Sequence, residues 1–317
     1  MQYIFITGII FFFTLKGYCG KRLSCYVNSP SDPYLFNFLR MLFCIFIGIA
    51  LVFAEEALPF LKLELGMLAI CAFSGVSNAA FLVCWMLAVR KNSMVSVDVG
   101  LTLGSLIPSV LCLILFSEPF SVPKMFGFAM IICATVVLAG NNKSETKGSF
   151  GGIILLSLAA IGDGMSSFSQ QLYKQYYTDA GSRASMYYPK TVFHFYTYVF
   201  ASLVLLLFMI GYYVLSVKST KNSVSDQKNI HTRRLIPIRA LFHISIMAVC
   251  LFAGNYLQTV VTNDYEISSQ LLYPIIKGCC LITVNFVAMI FFGEKITKRS
   301  VLGSLIAIIG IVAMSIL

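Results

Sequence analysis

The chain has 317 residues, 58% of them hydrophobic and 11% charged, with a formal net charge of +10 and a mean hydropathy of +0.85. A water-soluble domain carries roughly a quarter charged residues, so this composition excludes an ordinary soluble fold and points to an all-α integral membrane protein. The surplus of Lys and Arg reads as loop charge that orients spans in a bilayer, which excludes nucleic acid as the partner.

A helix needs about 20 apolar residues to cross the hydrocarbon core. On that rule the chain predicts ten spans, at 2–19, 35–54, 66–89, 94–116, 122–140, 150–173, 189–216, 237–260, 267–292 and 299–317. The first span has no basic stretch ahead of it, because the first charge is Lys16, after the apolar run. It therefore reads as a span and not as a cleaved leader. In the second, Arg40 either snorkels to the interface or faces an internal cavity. The third carries Asn78 and Trp85, the single tryptophan, which is either a lipid-facing anchor or a stacking surface. The fourth begins near Asp98 and places Gly100, Gly104 and Pro108 on one face.

The sixth span contains AAIGDGMSSFSQQ. Asp163 lies near its centre between Gly162 and Gly164, and Ser166, Ser167, Ser169, Gln170 and Gln171 follow. A charge at this depth costs several kcal/mol unless paired or wetted, so it is a functional candidate. The alternative is a polar lock between helices. His194 and His243 lie near the ends of the seventh and eighth spans and read as hydrogen-bonded histidines. Between those spans lies the longest polar insert, 218–234. Asn255 and Gln258 occupy the eighth span. The ninth holds Tyr273, Pro274, Lys277 and Gly278 in LLYPIIKGCC, where the proline removes a backbone donor and invites a kink. A buried Lys277 requires a carboxylate, and Asp163 or Asp98 could supply it; a static salt bridge and a transport-active pair both remain open. Gly303, Ala307 and Gly310 form a small face on the tenth span that suits either a homodimer contact or packing within one chain.

Eight of the ten cysteines sit in apolar runs and read as packing residues. No Cys/His spacing suggests a metal, and no P-loop is present, so ATP is not the direct energy source. Lys and Arg concentrate in alternate loops, which places both termini outside.

The chain also repeats itself. At one constant offset Phe116 falls on Phe292, Glu118 on Glu294, Gly127 on Gly303, Ile132 on Ile308 and Val136 on Val312, while LFNFLRMLF (35–43) lies over VFHFYTYVF (192–200). Two units follow, 1–141 and 149–317, the second carrying the basic loop 217–236. Each holds an odd number of spans, so they enter the membrane from opposite sides, the inverted repeat of secondary transporters. Ser121 and Thr297 are expected N-caps. Glu118 and Glu294 then favour the helix start by about 0.3–1 kcal/mol, or bind substrate or protons directly.

Ten spans in two halves, each ending in [LF]F-x-E-x-x-[ST] before a glycine-bearing helix, resemble the drug/metabolite transporter superfamily, EamA-type branch. The resemblance implies that the first four helices of each half surround a substrate cavity and the fifth packs at the periphery. It implies no cofactor, and a small-molecule substrate moved through the lipid bilayer of the cell membrane. The substrate pathway is expected at Asp163, Lys277, Asp98, Asn78, Asn255, Gln258, Tyr273 and Gln170, with Gly162, Gly164, Pro108, Pro274 and Gly278 as hinge or kink positions. Mixed Asp and Lys suit an amino acid or similar zwitterion, exported with or without proton coupling. Export of drugs or cations and uptake of sugars are the alternatives within transport. A membrane-embedded enzyme lacks a catalytic constellation here, and a channel would need no alternating gates.

Overall fold

The computed structural model describes residues 2–91, 94–117, 122–139, 150–178, 187–222, 236–265, 269–293 and 298–315. These residues form helices α1 (Gln2–Ser24), α2 (Asp32–Ala54), α3 (Leu65–Lys91), α4 (Met94–Gly104), α5 (Leu106–Phe116), α6 (Val122–Ala139), α7 (Phe150–Tyr177), α8 (Lys190–Asn222), α9 (Ile238–Asp264), α10 (Ser269–Phe292) and α11 (Lys298–Ser315). Among the described residues there is no strand. That is what lipid demands of an apolar chain, since each helix satisfies its backbone polar groups internally.

The boundaries have local causes. Asp32 Oδ2 accepts the N–H groups of Asn28 and Ser29, both at 2.7 Å, and so closes the turn between α1 and α2. Pro33 follows in the first turn of α2, where its missing N–H is harmless. The predicted fourth span divides at Ser105 into α4 and α5. Ser105 keeps right-handed helical angles, and its N–H reaches the Leu101 carbonyl at 3.2 Å. The two pieces thus form one apolar crossing, Val97–Phe116. The kink positions Pro274 and Gly278 are buried in α10, which continues through them as one helix.

Seven helices are long and apolar enough to cross a membrane, where the sequence predicts ten spans. α6 and α11 contribute shorter apolar stretches, Met125–Ala134 and Val301–Gly310. α7 has 28 residues but is not one of the seven among the described residues, and its second half is polar. Large side chains such as Phe46, Phe53, Ile114, Leu207 and Phe208 point outward. An apolar surface this extensive belongs in lipid.

The helices pair over long sequence distances. α3 packs on α7 and α8, α1 on α9 and α10, α2 on α8 and α9, and α10 on α4 and α5. α4 and α5 also pack on α7, and α6 packs on α11. Glycines set the closest approaches. A Cβ on Gly104 would overlap the Ala160 carbonyl of α7, and one on Gly164 would press on the Gly104 carbonyl. A Cβ on Gly162 would meet the Phe81 backbone at 2.9 Å. The glycines that flank Asp163, expected as hinges, therefore serve close packing in this structure.

The small face of the last helix is buried: Gly303, Ala307 and Gly310 lie inside the molecule, as does Gly127 of α6. A Cβ at Gly310 would stand 3.0 Å from the Gly127 carbonyl, so this face packs within the chain. Glu118 and Glu294, with the expected caps Ser121 and Thr297, lie outside the described residues.

Candidate functional site

α7 is the polar spine of the molecule. Asp163, Ser166, Ser167, Gln170 and Gln171 recur at helical spacing and so share one face. All five are buried. α7 lies against α3 on one side and α4 and α5 on another, with weaker packing on α9, so that face turns toward helices from both ends of the chain.

Four of these five side chains meet a partner on another helix, and the fifth residue, Ser167, is engaged through its carbonyl. Asp163 Oδ2 stands 2.6 Å from Lys277 Nζ of α10. Asn78 of α3 donates to Ser166 Oγ at 2.8 Å. Gln258 of α9 donates to Gln170 Oε1 at 3.1 Å. The Tyr273 hydroxyl accepts from Gln171 Nε2 and donates to the Ser167 carbonyl, both at 3.0 Å. Buried polar groups must be matched in this way, because an unmatched one costs about 1–3 kcal/mol. Asn255 stands apart: it is half-buried and donates to the Tyr198 hydroxyl of α8 at 3.2 Å. Pro108 is buried in α5, and His194 is held by Thr259 at 3.0 Å, the satisfied histidine that was expected.

Beside the ion pair is a cavity of about 30 Å³, lined by Phe13, Lys16, Trp85, Asp98 and Lys277 among others. It has room for about one water molecule. Asp98 thus joins Lys277 at the cavity, while Asp163 makes the direct bond. Sequence reasoning did not mark Lys16 as part of this interior. It is 6% exposed. Its ammonium lies 4.7 Å from the Phe13 ring, 5.2 Å from Phe81 and 5.9 Å from Trp85. A cation above a ring gains about 0.5–2 kcal/mol, whereas burying an ammonium costs several kcal/mol. The rings alone do not offset the burial.

Arg40 is 1% exposed and also approaches the Trp85 ring, with Cζ 5.8 Å from its centre. Of its two readings the structure selects the interior, and it makes Trp85 a buried ring and not a lipid anchor. Arg40 Nη2 donates to Asn37 Oδ1, and Asn37 is itself anchored on the Pro33 and Leu82 carbonyls. Arg40 Nη1 is buried with no acceptor among the described residues. A signal for Lys16 existed in the sequence: Gly17 and Gly20 share its helix, and a Cβ at Gly20 would overlap the Trp85 ring. Lys16 nevertheless resembles a flanking charge, because Lys21 and Arg22 follow it.

One end of the bundle is latched. Glu55, just past α2, accepts from Thr191 of α8 at 2.8 Å and from Tyr256 of α9 at 3.1 Å. Lys190 pairs with Asp264 at 2.7 Å beside them.

Among solved structures, 28 chains match this one. One, a crystal structure of a protein, superposes with a TM-score of 0.66 over 96% of each chain at 11% identity. No family model and no curated protein matches the chain. At that identity the likeness is one of fold alone. Fold and site together define a multi-pass helical membrane protein with a charged and nearly closed interior.

Proposed function

We propose that the protein is a secondary transporter of the drug/metabolite type, moving a small metabolite across the cell membrane by alternating access between two related halves. The observation that carries this reading is the Asp163–Lys277 pair beside a cavity, where helices of the first half, α1, α3 and α4, meet α7 and α10 of the second. A buried pair at this depth is costly to keep, and a transport site gives it a purpose.

The packing pattern supports the two halves. With α4 and α5 counted as one crossing, exchanging the halves turns the α1–α9 pair into the α7–α3 pair. It turns α1–α10 into α7 against α4 and α5, and returns α2–α8 and α6–α11 to themselves. The repeated motif adds a backbone detail. Ser117 and Gly293, the residues just before the two glutamates, both adopt left-handed angles, with φ of 53° and 65°. Left-handed serine is uncommon, so its occurrence at the position matching a glycine favours common descent of the two turns. Inverted halves of this kind exchange inward-open and outward-open shapes around a midplane site.

The test is counterflow in proteoliposomes. Saturable exchange of a preloaded metabolite is the expected result, with the Lys277→Met protein reduced to background. Non-saturating flux, or normal exchange by that variant, would remove the carrier reading.

A further inference from the structure

Lys16 is more than nine-tenths buried, lines the cavity, and has no hydrogen bond or ion pair among the described residues. Its ammonium is framed by the rings of Phe13, Phe81 and Trp85. On the other approach to Trp85, Arg40 keeps one buried nitrogen without an acceptor. The interior charges are Lys16, Arg40 and Lys277 against Asp98 and Asp163, and Asp163 is engaged by Lys277. Lys277 and Arg40 repel Lys16, while Asp163, already bonded to Lys277, attracts it. Among the described residues the interior cations outnumber the carboxylates, and Lys16 faces the cavity without an ion pair of its own.

We propose that the transported substrate is an organic anion, and that its carboxylate or phosphate docks on Lys16 between the Phe13 and Trp85 rings. The proposal rests on the transporter reading and narrows its substrate from a zwitterion to a species of net negative charge. The chemistry follows from what is present. An ammonium in a low-dielectric, aromatic-walled pocket binds an anion far more strongly than it would in water. The rings exclude water and carry no hydrogen-bond acceptor that would compete for the ammonium. Asp98, on the cavity wall, opposes a second negative group and so favours small acids over polyanions. The cavity in this structure is too small for such a substrate and must widen when the helices part.

The experiment measures thermal unfolding of the purified full-length protein in detergent, with lactate, succinate, inorganic phosphate, alanine, choline and glucose as separate probes. The anions are expected to stabilise saturably, and the carboxylate and phosphate arms show which headgroup fits. Lys16→Gln should lower anion affinity at least tenfold, while Lys16→Arg should retain most of it. Without ligand, Lys16→Gln should melt no lower than the parent protein, because it removes a buried charge that lacks a counter-ion. Stabilisation by alanine, choline or glucose but by no anion would overturn the proposal. So would equal anion affinity in Lys16→Gln, or no response to any of the anions. If Lys16→Gln does not fold, the parent protein's response to the panel decides alone. Anion binding without counterflow would end the transporter reading and leave the anion site standing. Counterflow of a zwitterion with no anion response would do the reverse.

Discussion

Asp163 and Lys277 meet at 2.6 Å with both side chains nearly enclosed. Removing one partner leaves the other charge buried alone, which costs about 3–5 kcal/mol. Asp163→Asn should therefore melt well below the parent protein. Adding Lys277→Met should restore most of that loss, because a neutral pair has nothing to solvate. On the proposed transporter reading, neither variant should move substrate. Thermal unfolding in detergent beside proteoliposome exchange separates the two effects, and a double variant no more stable than Asp163→Asn would show that the pair is not coupled. The residues of this pair were legible in the sequence because a charge at mid-span has few explanations. Lys16 was not, and Arg40 was left between two readings, because a basic residue near a span end normally snorkels to the interface. Which way such a residue points depends on the helix beside it.

At the scale of the helix, contact distance is set by glycine. α4 and α7 cross where Gly104 faces Ala160 and Gly164 faces Gly104, backbone against backbone. A methyl group there has no flexible neighbour to displace. Gly104→Ala should cost about 1–3 kcal/mol by overpacking, visible as a lowered melting temperature. Gly211→Ala, on α8 with nothing within 4 Å of the added carbon, is the matched control and should melt no lower than the parent, because alanine is the better helix former. The element pattern was readable from hydropathy, to within a few residues at most ends. α1 extends to Ser24 and α8 to Asn222, beyond the predicted 19 and 216. Hydropathy detects the buried length, while a helix continues into polar sequence until a turn stops it. α7 illustrates the opposite case, a helix whose polar face would look unstable in lipid and which is held by partners on α3, α9 and α10.

At the scale of the molecule, the Glu55 latch joins the end of α2 to α8 and α9. The proposed alternating access would require such links to break. Glu55→Ala removes the acceptor for both Thr191 and Tyr256 and should open that end more often. Cys71 is a native reporter: it is buried among Tyr173, Tyr177 and Phe193 beneath the latch. A water-soluble maleimide should modify it several-fold faster in Glu55→Ala than in the parent, as read by peptide mass spectrometry. Unchanged labelling would mean that the latch does not control access.

Sequence by itself determined that this chain is built of apolar helices suited to a membrane, where those helices lie to within a few residues, and that its two portions share a motif. Those properties follow from local composition and spacing, which the cost of placing polar groups in hydrocarbon makes readable. Only the tertiary structure decided that Lys277 bonds Asp163 while Asp98 shares the cavity, that Trp85 lies near two cations, and that Lys16 faces inward with no ion pair among the described residues. Those facts depend on how helices far apart in the chain rotate and cross. The crossings are set by glycine contacts between α4 and α7, and between α1 and the Trp85 ring, which no single stretch of sequence contains.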